Sequence, residues 1–373
     1  MRLRNGMLRF CEIAGLPILE PVVRLVFRED PRAQLVKLMQ YVAVPAVALA
    51  VFLVLWSWAA RVVVTDSVQL PGPAATWKAG RDLFALHFQQ RQADRQAVQQ
   101  RMREALVLVA KAQGLRQLCA QRPEGITAPE KCEQLADQLE QRALQIANAP
   151  IVRAPTFIDQ IVISLQTVFF GFLLATAIAV PVGILCGMNP WISAALTPFI
   201  QLFKPVSPLA WLPLAAVVVI WAYGDTAPHQ AMFQKSFLIS ASTVALCSLW
   251  PTLVNTTLGV ASVPKDFLNV GRVLKLSPWQ RLVKILLPAS LPLMFTGLRI
   301  SLGVGWMVLI AADMLAQNPG LGKFVWDEFQ NGSSLTYARI TFSVLTIGVI
   351  GLLLDRLMVC LQNLAAGRAQ LAT

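Results

Sequence analysis

Charge is what this sequence has least of. Only 14% of its 373 residues are Asp, Glu, Lys or Arg, against about 25% in an average soluble domain. Hydrophobic residues make up 56%. A water-soluble protein of this length cannot cover its surface with so few charges, and disordered or nucleic-acid-scaffold readings fail on the same ground. The net charge of +12 is therefore information about topology, not a nucleic-acid signal. Histidine is nearly absent: His87 and His229 are the two, and neither has a neighbour of metal-ligand type. There is no Cys-x-x-Cys, His-Glu-x-x-His, phosphate loop or nucleophile elbow. No catalytic residue, metal or cofactor is assigned, and any ATP-driven step must draw its phosphate loop from another chain.

Long uncharged runs are what the sequence has in abundance. A bilayer-spanning helix needs about 20 mostly apolar residues. Uncharged runs cover 41–60, 160–203, 205–224, 236–264 and 340–354, and 285–312 is apolar except for Arg299. The long second run is interrupted by Gly187, Asn189 and Pro190, so it holds more than one element. The runs predict an all-α polytopic membrane helix bundle of about six transmembrane helices, near 39–63, 159–187, 206–224, 237–260, 289–315 and 335–360. The stretch 190–203 reads as interfacial or re-entrant. The first run begins too deep for a secretory signal peptide and lacks a small-residue cleavage site.

Lys and Arg set the expected orientation. Arg2, Arg4, Arg9, Arg24, Arg28, Arg32 and Lys37 crowd the segment 1–38, and Lys265, Arg272, Lys275, Arg281 and Lys284 crowd the loop 261–288. The loops 225–236 and 316–334 hold one each, Lys235 and Lys323. Both termini, including the tail 363–373, and the 261–288 loop are expected in the cytoplasm of a bacterial inner membrane, around a core at 159–362. The segment 64–158 then lies outside. In the N-terminal segment, Leu19, Val22, Val23 and Val26 have helical spacing. They fit an amphipathic surface helix or a plain basic anchor.

The extracytoplasmic segment is the polar part of the chain. Residues 61–153 hold 22 of its 52 charges. Val98, Met102, Ala105, Leu106 and Val109 share one helical face over 90–113, and Cys132, Leu135, Ala136, Leu139, Ala143 and Ile146 share one over 130–147. Thr127 and Glu130 make a capping box with Pro129 in the first turn, after a turn at Gln121–Gly125. The pattern predicts an extracytoplasmic helical hairpin insert. Heptad-like spacing also leaves a coiled-coil partner open. Cys119 and Cys132 flank the turn and are expected to form a disulfide, which would close a loop of about 14 residues for roughly 3 kcal/mol. Cys11, Cys186, Cys247 and Cys360 fall in the cytoplasmic tail or in membrane helices, where thiols stay reduced or pack. Two buried free thiols are the alternative for the pair.

The loop after the fourth span is basic and amphipathic, with Phe267, Val270, Val273 and Leu274 on one face. It resembles the cytoplasmic signature of ABC importer membrane subunits: Glu-Ala-Ala, three residues, Gly, nine residues, Ile-x-Leu-Pro. Asn269, Val270 and Gly271 occupy the Glu-Ala-Ala positions, and Lys275 the Gly position. The spacer is kept, and Ile285, Leu287 and Pro288 match fully. Residues 163–172 (Ile-Ser-Leu-Gln-Thr-Val-Phe-Phe-Gly-Phe), 204–214, 296–300, 320–327 and 351–356 resemble the permeases for nitrate, bicarbonate, taurine and aliphatic sulfonates, the nitrate branch most of all. The resemblance covers about 40–88 and 155–362.

That resemblance implies a type I importer fold and a transport subunit, not an enzyme. Its expected partners are ABC ATPase subunits on the cytoplasmic face, an extracytoplasmic solute-binding protein and a second copy in a homodimer, within membrane lipid and with no nucleic acid. Arg272 and Lys275 either pair with acidic groups of the ATPase or anchor to anionic lipid. Ionisable groups inside a membrane are candidates for function. Arg299 and Asp313 lie about 21 Å apart along one helix. Arg299 is expected to snorkel to the interface. Asp313, where the family usually has Glu, is expected to gate the outer mouth or pair with a neighbouring helix. For an anionic solute, Ser164, Gln166, Ser301, Trp306 and Gln317 are the polar candidates for the path. A stand-alone secondary transporter or channel is the competing class, and a membrane scaffold that recruits a partner through its outer hairpin is a third.

Overall fold

The structure is a computed structural model that describes residues 19–27, 31–63, 69–121, 129–149, 154–224 and 234–371. Arg2, Arg4, Arg9, Cys11, Arg28, Thr127, His229 and most of the 225–236 loop lie outside them, as does the Cys132 side chain. Every regular element among the described residues is helical. The chain divides into two units, residues 1–80 with 159–373, and 81–158.

The first unit holds five helices long and apolar enough to cross a membrane, or six if one bent pair counts as a span. A short helix α1 (Leu19–Val26) precedes them, where the Leu19-Val22-Val23-Val26 spacing predicts one. The first span runs from Pro31 to Val62 through α2 (Pro31–Leu38), a π-turn (Met39–Ala43) and α3 (Val44–Val62). It begins eight residues before the expected 39. The π-turn stands just ahead of Pro45, which lacks the N–H and crowds the carbonyl four residues back. The wider turn lets the helix continue past it.

The remaining elements are α4 (Pro73–Gln121), α5 (Pro129–Asn148), α6 (Phe157–Met188), α7 (Pro190–Phe203), α8 (Pro208–Tyr223), α9 (Lys235–Ala261), α10 (Lys265–Val273), α11 (Pro278–Arg281), α12 (Leu287–Ala316), α13 (Leu321–Asn331) and α14 (Ser334–Leu371). A second π-turn, Leu282–Leu286, joins α11 to α12 ahead of Pro288, so Pro278–Ala316 is one span of 39 residues. The stretch expected to be interfacial or re-entrant, 190–203, is α7, and the expected third span, 206–224, is α8. It follows α7 across a 106° bend, where Lys204-Pro205 and Ser207-Pro208 break the helix. Asn189 caps α7 by accepting from Trp191 N at 2.9 Å.

Small residues bring α6, α9 and α12 together. A Cβ on Gly171 would lie 2.6 Å from the Ala241 carbonyl, one on Gly183 2.7 Å from Thr256 Cβ, and one on Gly187 2.9 Å from the Thr257 carbonyl. Gly183 and Gly187 form a Gly-x-x-x-Gly step, which permits close approach of helices in lipid. On α12, Gly297 sits against Asn255 and the Pro251 carbonyl, and Gly305 against Ser248. Buried hydroxyls then join the backbones. Thr252 Oγ1 donates to Ser301 Oγ at 2.7 Å, Ser248 Oγ to the Ser301 carbonyl at 3.2 Å, and Ser301 Oγ to the Ser248 carbonyl.

The second unit is a helical hairpin. Ala105 and Ala112 of α4 and Ala136 and Ala143 of α5 are buried between its two arms, each pair seven apart, so the seam has heptad spacing with alanine in it. Met102, Leu106 and Leu135, expected on the packed faces, are at least half exposed, because alanine at the seam leaves larger neighbours outside. Arg116 bridges Asp137 at 2.7 Å and Glu140 at 2.9 Å. These carboxylates raise its pKa. Phe84 meets Phe157 edge-on, and His87 Nδ1 is 2.5 Å from Thr156 Oγ1. The hairpin matches expectation, but α4 has 49 residues where periodicity suggested 90–113. Its flanks are rich in Ala, Gln and Arg, strong helix formers that continue the helix without an apolar stripe.

The glycine contacts give a paired test. Gly171→Ala is expected to destabilise by about 1–3 kcal/mol through overpacking. Gly348→Ala, which meets no atom within 4 Å, should stay within about 0.5 kcal/mol. Thermal unfolding in detergent, followed by size-exclusion fluorescence, measures both. Equal loss at the two positions would remove the close-packing account.

Candidate functional site

The loop between α9 and α12 is an elbow built by local rules. Pro264 precedes α10, and the helix ends in a complete Schellman closure. Lys275 N donates to the Arg272 carbonyl and Leu276 N to the Gly271 carbonyl, both at 3.0 Å. Lys275 itself takes φ +50°, the left-handed conformation that glycine adopts most readily. The family signature has glycine at this position, so lysine departs from the pattern where the backbone most favours it. Two residues on, Ser277 opens α11 with a capping box. Its Oγ accepts from Gln280 N at 3.3 Å, and Gln280 Oε1 accepts from Ser277 N at 3.0 Å.

Gly271 ties the two halves of the signature together. It is buried, and a Cβ there would sit 2.8 Å from Ile285 Cδ1 and 3.2 Å from Arg281 Cγ. Below it, Val260, Val263 and Leu286 form a small core joined by Ile184, Leu268 and Leu282. Leu287 and Pro288 begin α12 directly after the second π-turn. On the opposite side Phe267, Val270, Val273 and Leu274 are 53%, 54%, 81% and 63% exposed. The predicted face exists and is unpartnered. Asn269, Arg272 and Lys275 are exposed too; Arg272 Nη1 reaches Asn269 Oδ1 at 3.5 Å.

A second constellation lies at the other end of α12. Asp313 is fully buried. Ser164 Oγ of α6 donates to its Oδ2 at 2.9 Å, and Asn318 Nδ2 donates to its Oδ1 at 2.7 Å. Ser164 Oγ also accepts from Leu321 N at 2.9 Å, and Asn318 Nδ2 reaches Thr167 Oγ1 at 3.2 Å. A Cβ on Gly320 would collide with Asp313 and Ser164, and one on Gly322 with the Ile310 carbonyl. Glycine therefore lets α13 press onto the end of α12. Lys323 Nζ bonds Gln317 Oε1 at 2.9 Å and Asp327 at 2.9 Å, and Arg339 bridges Glu328 at 3.1 Å, tying α13 to α14.

The seven residues nominated for a solute path separate into three groups. Ser164 and Asp313 meet in this cluster. Ser301 lies between α9 and α12, and the Trp306 indole donates to the Ile347 carbonyl at 3.0 Å. These four are buried. Gln166 and Gln317 are exposed, with Gln317 at φ +55° capping α12. Arg299 differs from expectation. It does not simply extend to an interface but grips Asp355 of α14 with two bonds, Nε–Oδ1 at 2.5 Å and Nη2–Oδ2 at 2.8 Å. Thr167, Asn318 and Asp355 were missed. Asp355 marked only the end of an apolar run, and Asn318-Pro319-Gly320 carried a turn signal without a partner.

Residues 179–367, half of the chain and the elbow within it, match the family described as the binding-protein-dependent transport system inner membrane component. The chain belongs to that family. It is 35% identical over 207 residues to the nitrate import permease protein NrtB of Synechococcus elongatus, covering 56% of this chain and 69% of that one. The corresponding figures for NrtB of Synechocystis are 37% over 211 residues, 57% and 70%. For the bicarbonate transport system permease protein CmpB of Synechococcus elongatus they are 38% over 205 residues, 55% and 68%. This permease is thus a multi-pass inner-membrane transport subunit of an ABC importer, not an enzyme. Its family implies ATPase and substrate-binding partners.

Lys275→Gly is expected to relieve the left-handed strain at the end of α10 by about 1 kcal/mol. Amide hydrogen exchange over 265–276 should slow roughly five-fold. Faster exchange in that variant would show that the lysine side chain holds the turn.

Proposed function

We propose that this permease imports a small oxyanion, with nitrate, nitrite or bicarbonate ahead of a sulfonate such as taurine, and that α10 receives the stroke of the ATPase. The names of its relatives support the solute class. The observation that carries the coupling role is the exposed apolar quartet of α10, backed by the buried Gly271–Ile285 contact. A partner groove seated on Phe267, Val270 and Leu274 would move a short helix whose C-terminal end is closed by two backbone bonds. That helix bears on a span of 39 residues, about 58 Å long if straight, which ends at the Asp313 cluster. Displacement at the elbow is then delivered along one rigid element to the far end of the bundle.

In this reading the permease works as a homodimer, with both termini and α10 cytoplasmic and a solute-binding protein at the α13 end. The clustering of Lys and Arg at the elbow supports the orientation. Asn269, Arg272 and Lys275 are exposed on the same short elbow, and Ile285, Leu287 and Pro288 transmit from it. Ser164, Ser301, Trp306, Asp313 and Arg299 hold helices together, which leaves Gln166 and Gln317 as nominees for the solute path. The test is uptake of labelled nitrate, bicarbonate and taurine into proteoliposomes holding the permease, its ATPase and its binding protein. Gly271→Trp should insert normally yet lose ATPase association and uptake by at least tenfold. Full uptake with unchanged association would refute the role of α10.

We also infer a Cys119–Cys132 disulfide at the end of the hairpin. Cys119 lies two residues from the end of α4 and Cys132 in the first turn of α5, which supports the pairing. Mass spectrometry of non-reduced peptides should find the two cysteines linked. Alkylation of both without reduction would refute the bridge and weaken the placement of 64–158 outside the membrane.

A further inference from the structure

The inner side of the elbow encloses a cavity of about 320 Å³. Its walls are the ends of α6 and α9, one side of α10, and the start of the α11–α12 span. Met188, Val263 and Leu286 line it together with Lys265, Arg272 and Arg281. No carboxylate lines it, and none of the three cations has an ion-pair partner among the described residues. Arg281 Nε is buried without a hydrogen-bond partner. Lys265, Leu268 and Arg272 share the cavity-facing side of α10, whereas Phe267, Val270 and Leu274 face outward. An occupant of the cavity would therefore sit between α10 and the bundle, away from the proposed ATPase docking face.

Three cations around one concavity, with no carboxylate among its walls, repel each other. A multi-oxygen anion answers that deficit, because it carries charge and several acceptors in a compact shape that Arg recognises well. We propose that this cavity binds an oxyanion of the phosphate class between Lys265, Arg272 and Arg281, bracing α10 against α11. Two sources have this chemistry: the phosphate of an anionic lipid, whose chains would follow the apolar lining residues, and a soluble oxyanion. Bound there, either one would stiffen the elbow and so tune how much of the ATPase stroke reaches α12. The site is independent of which solute the permease carries.

The test uses the delipidated full chain in neutral detergent with two named probes. Native mass spectrometry follows retention of phosphatidylglycerol against phosphatidylcholine. Fluorescence of Trp279, an exposed residue of α11, follows titration with sodium sulfate. The wild-type chain is expected to hold one probe, and Lys265→Gln with Arg272→Gln to weaken it at least tenfold, while Lys265→Arg with Arg272→Lys retains it. Arg281→Gln alone should weaken it as well, guarding against a fold defect in the double variant. Charge-dependent binding of phosphatidylglycerol alone assigns the lipid source, and of sulfate alone the soluble source. If neither probe binds, or if both bind the neutralised variants as tightly as the wild type, the proposal is overturned.

Discussion

Helices in lipid gain little from burying apolar side chains against one another, because the lipid is as apolar as they are. The bundle therefore depends on how closely its backbones approach. Helix α9 sets that distance. Of its twelve buried residues, eight are Ser, Thr, Ala or Gly, namely Ser240, Ala241, Thr243, Ala245, Ser248, Thr252, Thr256 and Gly259. Gly171, Gly183 and Gly187 approach it from α6, and Gly297 and Gly305 from α12. The Ser248–Ser301–Thr252 bonds are possible only at that separation. Half of the most apolar window in Lys235–Ala261 is buried and 44% of that in Pro278–Ala316, against none of that in Pro31–Val62. The first span is thus peripheral to a core made by α6, α9 and α12.

Proline shapes the spans by two different routes. At Pro45 and Pro288 a π-turn immediately upstream absorbs the missing hydrogen bond, and the helix continues. At Pro205 and Pro208 the chain breaks and turns by 106°. The difference has consequences for the elbow. Because the helix does not break at Pro288, the residues that pack on Gly271 and Asp313 itself belong to one continuous span. Its two ends are held differently. The elbow end is gripped by apolar contacts and turn chemistry, the far end by a buried carboxylate satisfied by Ser164 and Asn318.

Much of this was legible in the sequence, and what was not shares one cause. Uncharged runs of about 20 residues located the spans because desolvating charge is so unfavourable that composition alone reveals it. Periodicity found the hairpin, and spacing found the elbow through Ile285-x-Leu287-Pro288. Partners far apart in the chain stayed hidden. Ser164 lies 149 residues from Asp313, and Arg299 lies 56 from Asp355. Ser164, Asp313 and Arg299 drew notice as polar groups in apolar runs, but nothing local shows which residue satisfies which. Hence Ser164 and Ser301 read as path residues when their hydroxyls are committed between helices. The length of α4 escaped for the opposite reason: its flanks are helical by propensity and carry no amphipathic stripe.

The elbow shows how a motif can keep its geometry while losing its letters. The signature places a glycine where this backbone turns left-handed, and a small residue four positions earlier, where this helix packs closely. Here Lys275 adopts the left-handed turn against its own preference, and Gly271 takes the close-packed position. Both Schellman bonds nevertheless form, and the Ser277–Gln280 box fixes the next helix two residues later. With both flanks so closed, the strain at one lysine is small beside what the surrounding bonds determine. A backbone specified by several weak local rules tolerates the loss of one. That tolerance explains why the second half of the signature, where Pro288 enforces helix entry and Ile285 fills the space above Gly271, identifies the loop more reliably than the first.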